Sequence, residues 1–375
     1  HCRLRRQRQM CIRDRSFASE TTLMCMNKKL NQLKEKPIAT TKFGDLAVLF
    51  AGDFTQLEPV KGRPVYLNTR DDNIWYSYIN TFIELRSNHR FDSDKRWGNI
   101  LQSMRTKGSS EKDMHTINSR VVNERNNLSD KDIPSNAVYA TSTNMDKASI
   151  NEGIFAKHVS TTHKRSLNCC PQLHTICIKA SDISFRKPGT RQYNRKCTSM
   201  ERDLIHSTCS DAHIKDQNNK RYDPMLKLYH DRPLSINHNI DVTKCMANGA
   251  MCKFKGIIVK DEYRESPSAC MEKILIDGYV VNCIDANKVK SLVVEMMDGN
   301  TDPGNPKVVE LKSESNTGSV HFPIPLEGPV TKNTHRVWRA VKFNQFPINV
   351  ANARTVHKLQ GLSLIHISEP TRPNF

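Results

Sequence analysis

Several things are missing from this 375-residue chain, and each absence narrows what it is. It contains no run of 18 apolar residues, so no segment reads as a membrane-spanning helix. Its twelve cysteines form no Cys-x-x-Cys pair and have no regular spacing, and nothing resembles a signal peptide. Reduced thiols inside a cell are the expectation. No glycine is followed by lysine anywhere, which excludes a GxxxxGK[ST] phosphate loop from these residues. Acidic residues are scarce beside basic ones, 39 against 57, for a net charge of +18. That imbalance favours a polyanionic partner, most simply nucleic acid. Otherwise the chain is 37% hydrophobic and 26% charged, an ordinary soluble composition with length for two or three domains.

The two ends read differently from the middle. Residues 1–15 carry Arg3, Arg5, Arg6, Arg8, Arg13 and Arg15 against Asp14 alone, without the amphipathic, serine-bearing pattern of a mitochondrial presequence. Gln9–Arg15 and Leu364–Pro373 resemble translated sequencing-adaptor reads, so residues 1–15 and 364–375 are expected to be non-native. Setting aside the first fifteen residues lowers the net charge from +18 to +13. The basic character survives.

The stretch Leu49–Val60 organises what lies between. Ala47–Ala51 is a short continuous apolar run, the pattern of a strand buried on both faces of a parallel sheet. It stops at Gly52-Asp53, which places a carboxylate at the strand's C-terminal end, where open α/β sheets bind ligands. Gln56 follows three residues later, a neutral amide able to sense a phosphate or a water without adding charge. An ordinary buried strand and turn fits the same residues.

Leu23, Met24, Met26, Leu30 and Leu33 recur at helical spacing and predict an amphipathic helix within Ser16–Lys36, ended by Pro37. Asn73–Leu85 predicts a helix, or a helix followed by a strand at Phe82–Leu85. Arg86 and Arg90 come next, suited either to a solvated basic surface or to phosphate. Trp97, Ile100, Leu101 and Met104 share a helical face. Ala137–Ala140 and the residues to Ile154 predict a second strand–turn–helix unit. Residues 158–221 are polar, rich in Lys, Arg, His and Cys, and read as a variable insertion. Only Cys209 and His213 within them have ligand-like spacing, too little for a zinc site, and no metal is expected. Short strands then follow at Ala250–Val259, Ile274–Ile276, Tyr279–Ile284, Ser291–Met297, Lys307–Lys312 and Val337–Val341. Asn248-Gly249, Asp277-Gly278, Asp298-Gly299 and Pro303-Gly304 punctuate them, the pattern of a small all-β module. Phe346–Leu362 has a strand-like start before Thr355–Gly361.

Four of these stretches, in order, are Gly52–Leu57, Asn88-His89-Arg90, Asn248-Gly249 and Thr355–Gly361. Together they resemble the petite-integration-frequency (Pif-type) DNA helicases, RecD-related members of superfamily 1, over about Ser16–Ser363. The resemblance implies an α/β fold: partial tandem RecA-like domains with a small Src-homology-3-like β-barrel insertion. Residues 16–80 would close the first RecA-like domain. Residues 81–241 would form the second, with the polar insertion at about 158–221. Residues 242–341 would be the β module, and 342–363 a return to the second domain.

The implied activity is ATP-dependent 5′→3′ translocation on single-stranded DNA with duplex unwinding, in roles such as repair, recombination and telomere maintenance. ATP and Mg²⁺ are the implied cofactors. Single-stranded DNA and duplex junctions are the implied partners of a monomer, with no membrane, in the nucleus or mitochondrion if the source is eukaryotic. Asp53 and Gln56 would sit near the γ-phosphate and couple its loss to domain closure, and Arg90 would reach that phosphate across the cleft. Gln360 and Gly361 would also face nucleotide. Thr355, His357 and Lys358, with Asn248 and Gly249, would contact the DNA strand.

Two departures stand out. Glu58-Pro59 replaces the family's Pro-Pro, which is harmless if Glu58 faces solvent. The phosphate loop, the Asp-Glu magnesium motif and the final arginine motif are absent, so the chain reads as an ATPase-inactive piece of a longer helicase. Asp261-Glu262 imitates the magnesium motif but reads as a hairpin end. The helicase part of a rolling-circle transposon protein, or a non-motor single-strand-binding module, fits many of the same features.

Overall fold

In the computed structural model, the described residues are 19–38, 40–50, 52–55, 58–59, 62–67, 74–84, 91, 94–106, 108–129, 132–133 and 137–165, followed by 175–186, 190–215, 221–241, 246–297, 308–322 and 337–359. The chain is mixed α/β with several sheets and divides into two compact units. One holds residues 1–135 and 360–365, the other residues 136–359 and 366–375.

The first unit is built from short helices: α1 (Glu20–Leu33), α2 (Ile74–Tyr78), α3 (Lys95–Thr106) and α4 (Glu111–Asn118). Ser19 caps α1, accepting from the Thr22 amide. The buried stripe of α1 is Leu23, Asn27 and Asn31, while Met24 and Leu33 of the expected apolar face are exposed. The polar pair is buried because Asn27 Oδ1 accepts from the Phe43 amide at 2.7 Å and from Asn31 Nδ2 at 2.9 Å.

The expected two-faced strand at Ala47–Ala51 is absent over its described residues 47–50, and Leu49 is 81% exposed. A strand exists by pairing, and the strand pairing seen in this unit's described residues is one isolated bridge, Ser19 with Pro64. Phe50 turns instead into an aromatic cluster. Residues 79–84 likewise form no strand, with Phe82 and Ile83 exposed, so the expected strand at Phe82–Leu85 is not formed over its described residues. On α3, Ile100 is buried and Met104 is half exposed, so the predicted face is only partly used.

The second unit carries β1 (Tyr139–Thr141), α5 (Asn144–Arg165), β2 (Thr175–Lys179), β3 (Ser181–Phe185), β4 (Arg195–Lys196), α6 (Ser199–Thr208) and β5 (Ile214–Lys215). It continues with β6 (Met225–Tyr229), β7 (Pro233–Ile236), β8 (Met251–Val259), β9 (Met271–Ile276), β10 (Tyr279–Asp285) and β11 (Val289–Met296). Last come β12 (Val308–Leu311), β13 (Glu314–Phe322), β14 (Val337–Gln345), β15 (Ile348–Val350), β16 (Ala353–Thr355) and α7 (Val356–Leu359).

These strands make a parallel pair β1-β16 and three larger sheets, ordered β6-β2-β10-β9, β12-β11-β8-β7-β15 and β4-β3-β14-β13-β5. Strand β2 is buried on both faces. Ile176 and Ile178 join a core with Leu226, Leu228, Phe254, Leu292 and Ile348, while Cys177 faces Phe155 and Val159 of α5. A third core gathers Phe185, Ile205, Val320, Val341 and Phe343.

Residues 158–221, read as a polar insertion, thus supply β2, β3 and α6 to these cores. The reading misled because strands this short alternate too briefly to show a period. The Asp277-Gly278 turn has positive φ at both positions and joins β9 to β10 as the Asp-Gly signal predicts. Asp261-Glu262 lies in a 3₁₀ turn after β8, with Asp261 paired to Lys290; it is not the hairpin end expected, because β8 pairs with β11 and the next strand, β9, belongs to another sheet.

Candidate nucleotide and nucleic-acid sites

In the first unit the residues around Asp53 form a braced turn. Asp53 Oδ1 accepts from the Thr55 amide at 3.0 Å and the Thr55 hydroxyl at 2.7 Å. Arg105, in the last turn of α3, donates to the same oxygen at 2.8 Å. The next residue, Phe54, meets Tyr66 and Trp75 edge-on, with ring centroids 5.0 and 5.4 Å away. Trp75 in turn meets Phe50, and Phe50 meets Phe43. An ion pair on one side and a ladder of rings on the other hold the turn.

Glu58 is exposed and accepts from the Tyr66 hydroxyl at 3.2 Å, so its carboxylate points at the ladder's rim. The Tyr66 hydroxyl's pKa is raised, first by desolvation and then by the Glu58 carboxylate. Gln56 and Arg90, expected to sense and reach the γ-phosphate, lie outside the described residues. Gln360 and Gly361 do too.

In the second unit Thr355 ends β16, opposite Thr141 at the end of the parallel strand β1. Both strands therefore finish side by side. The Thr141 hydroxyl donates toward the carbonyls of Thr143 and Arg354. Thr355 is 7% exposed, and His357 and Lys358 follow in α7.

Two buried side chains fix the backbone that leads there. Asn151, on α5, accepts from the Ala353 amide at 2.8 Å through Oδ1 and donates to the carbonyls of Ala353 and Val350 at 3.4 and 3.5 Å. Its amide group stands in for a neighbouring strand. Arg232, 1% exposed, donates to Asn352 Oδ1 at 2.9 Å, to the Asn151 carbonyl at 2.6 Å and to the Lys227 carbonyl. Its guanidinium also lies over the Tyr229 and Phe155 rings. Burial lowers its pKa to about 10, still charged at neutral pH. The same burial, with Arg232 beside it, lowers the pKa of His158, which stacks on Tyr229.

Sequence reasoning missed Asn151, Arg232 and Asn352. An asparagine in a helix interior is a poor helix former and was a usable signal for Asn151. Arg232, between Asp231 and Pro233, gave none.

Asn248 and Gly249 form a turn in which Gly249 has φ +86° and donates to the Ile236 carbonyl at 2.8 Å. Ile236 pairs with Ile348, so this turn belongs to the Ile348 end of β15, whereas Thr355 follows the Val350 end. Arg354, the residue before Thr355, donates toward Met251 Sδ, two residues after Gly249.

A cavity of about 310 Å³ lies beside Asn151 and Arg232, with Asp223, Glu152 and Lys227 among its walls. Desolvation, then the neighbouring Asp211 carboxylate, raises the pKa of Asp223 to about 7. Asp211 itself is paired with Lys147. Among the described residues no group of three or more His, Cys, Asp or Glu could hold a metal ion. Cys209 caps α6 and His213 Nδ1 accepts from the Ser210 amide, each with its own local role. No helix of the described residues is long and apolar enough to cross a membrane.

Solved Pif1 helicases match this chain along most of its length. A Bacteroides Pif1 bound to single-stranded DNA is 15% identical, covering 93% of this chain and 61% of that one, with a TM-score of 0.46. The Pif1 helicase from Candida albicans is 17% identical, covering 92% and 63%, with a TM-score of 0.49. Bacteroides Pif1 in complex with ADP-AlF3 and single-stranded DNA is 16% identical, covering 93% and 61%, with a TM-score of 0.45. The chain therefore spans less than two thirds of the length of these solved chains. No protein-family model matches it, and no match is found among curated proteins by sequence.

Proposed function

We propose that this chain is part of an ATP-dependent 5′→3′ DNA helicase of the Pif type, carrying a nucleotide-sensing turn and a single-strand phosphate site. The observation that carries the reading is the order of the four sequence stretches, Gly52–Leu57, Asn88–Arg90, Asn248-Gly249 and Thr355–Gly361. The braced Asp53 turn and the buried, doubly anchored Thr355 strand support it. Asp53 is held by Thr55 and Arg105, and the motif roles assign the γ-phosphate to Gln56 and Arg90. Thr355, His357 and Lys358 offer a hydroxyl, an imidazole and an ammonium to backbone phosphates. The net charge of +18 draws the strand in. In this reading residues 16–80 and 81–241 belong to two RecA-like domains, and 242–341 is a β insertion of Src-homology-3 type.

The residues present do not fit a complete ATP site. No Gly-Lys pair exists to cradle phosphates, and Asp53 is engaged by Thr55 and Arg105. No hydrolysis step is therefore assigned to these residues. They supply a sensor, and ATP with Mg²⁺ would be held by parts of a longer protein. The missing phosphate loop also favours a second reading, a non-motor single-strand-binding module. The test is a titration of labelled oligo-dT with the chain, with and without ATP, alongside an ATPase assay. The first reading expects salt-sensitive binding and no turnover above background. Absence of binding sinks both readings, and clear turnover sinks the inactive-piece assignment. Extension of the reading frame upstream separates them: a phosphate loop about a hundred residues before Ser16 identifies the helicase.

A further inference from the structure

We propose that Asn151 and Arg232 are positioning residues for the single-strand phosphate site on Thr355, His357 and Lys358, an inference that rests on the reading above. The segment 350–355 carries that site, and its register has three fastenings. Strand β1 holds one edge, with Tyr139 donating to the Asn352 carbonyl at 2.9 Å and Thr141 opposite Thr355. Asn151 holds the Ala353 peptide by both its amide and its carbonyl. Arg232 holds the Asn352 side chain and, through the Asn151 carbonyl, the helix that carries Asn151.

The three are linked in series. Arg232 fixes Asn151 and Asn352, and these fix the peptides just before Thr355. All three spend their side-chain polar atoms on protein partners, and that assigns them to holding the backbone rather than the DNA. A phosphate site needs its donors held to a fraction of an ångström, and that precision comes from such supporting shells. Asn151 is the informative member. Its amide does for Ala353 what a paired strand does, at the last positions before the donors begin. If the amide is lost, the β1 pairing remains, and the strand is free to shift without unfolding.

The test is a double-mutant cycle on the full chain, reading fluorescence anisotropy of a labelled oligo-dT across a salt series. Lys358→Ala is expected to weaken binding roughly three- to tenfold and to reduce the salt slope by about 0.7, the loss of one single-strand phosphate contact. Asn151→Ala, which removes no charge, is expected to weaken binding by a similar factor and to lower the slope in the same direction. The double variant should bind no worse than the weaker single one, because Asn151 acts through the site that contains Lys358. Circular dichroism confirms that each variant is folded at the assay temperature. Should Asn151→Ala fail to fold, Asn151→Asp keeps the acceptor for Ala353 and loses the donors, and the same cycle is run with it. Additive losses, or a silent folded Asn151 variant beside a sensitive Lys358→Ala, overturn the positioning role alone. A silent Lys358→Ala overturns the phosphate site and the positioning role together.

Discussion

Arg105 donates to Asp53 Oδ1 at 2.8 Å, joining the end of helix α3 to the turn after Gly52. The two residues are 52 positions apart, and α3 begins five residues after Arg90. The segment that follows one motif thus reaches back to brace another, within a single compact unit. The contact therefore couples the turn to helix α3.

The ion pair itself should contribute little to stability. Arg105 keeps 46% of its side chain exposed and Asp53 keeps 20%, so solvent screens their attraction. Arg105→Ala is expected to cost less than about 1 kcal/mol in a urea titration. Trp75 emission should nevertheless shift, because Phe54 of the turn packs on that indole. A large loss of stability with unchanged emission would assign Arg105 to the core.

Arg232 should behave oppositely. Truncation to alanine leaves the Asn151 and Lys227 carbonyls and Asn352 Oδ1 without their buried donor. Arg232→Ala is expected to cost about 3–5 kcal/mol, the usual penalty for breaking a buried charged network. Arg232→Lys should recover only part of it, since an ammonium lacks the planar fork that meets three acceptors. Chemical denaturation of the two variants measures both effects.

Asp223 sets a pH dependence of stability. Its pKa is raised from 3.8 to about 7 by desolvation and by Asp211. The unfolded chain gives up this proton first, so the stabilising contribution is fully present below pH about 4. It falls by about 1.4 kcal/mol for each pH unit between those two values and is lost once pH passes about 7. Asp223→Asn keeps an oxygen for the Met225 amide and should gain stability relative to wild type between pH 5 and pH 8. Melting temperatures at those two pH values decide it, and an unchanged difference would mean that Asp223 ionises normally.

Gly249 should tolerate a side chain poorly for backbone reasons alone. At φ +86° a Cβ would meet nothing within 4 Å, so no clash adds to the conformational strain. Gly249→Ala is expected to cost about 1 kcal/mol, and a second, larger loss would require a neighbour that the turn does not have.

How much of this was legible follows from what sequence patterns encode. Strand β8 and the β9–β10 hairpin were readable because alternation and an Asp-Gly turn are local signals. Helices α1 and α3 were readable from their period and the start of α5 from a strand–turn–helix pattern, although α1 buries Asn27 and Asn31 where leucine and methionine were expected. That choice depends on Phe43, sixteen residues beyond Asn27, and no periodicity contains it. The strand expected at Ala47–Ala51 failed for a related reason: apolar content marks a residue as fit for a sheet but does not supply its neighbour. At the site, Asp53 and Thr355 stood out by motif. Their supports, Arg105, Asn151 and Arg232, act at distances of 52, 202 and 120 residues and leave no local trace.

The central claim is that the Thr355–Lys358 segment grips single-stranded DNA. The direct measurement is the salt dependence of oligo-dT binding by the wild-type chain and by Lys358→Ala. The account predicts binding that weakens linearly on a log–log plot, with a slope for Lys358→Ala smaller by about 0.7. Identical curves for the two proteins would contradict it.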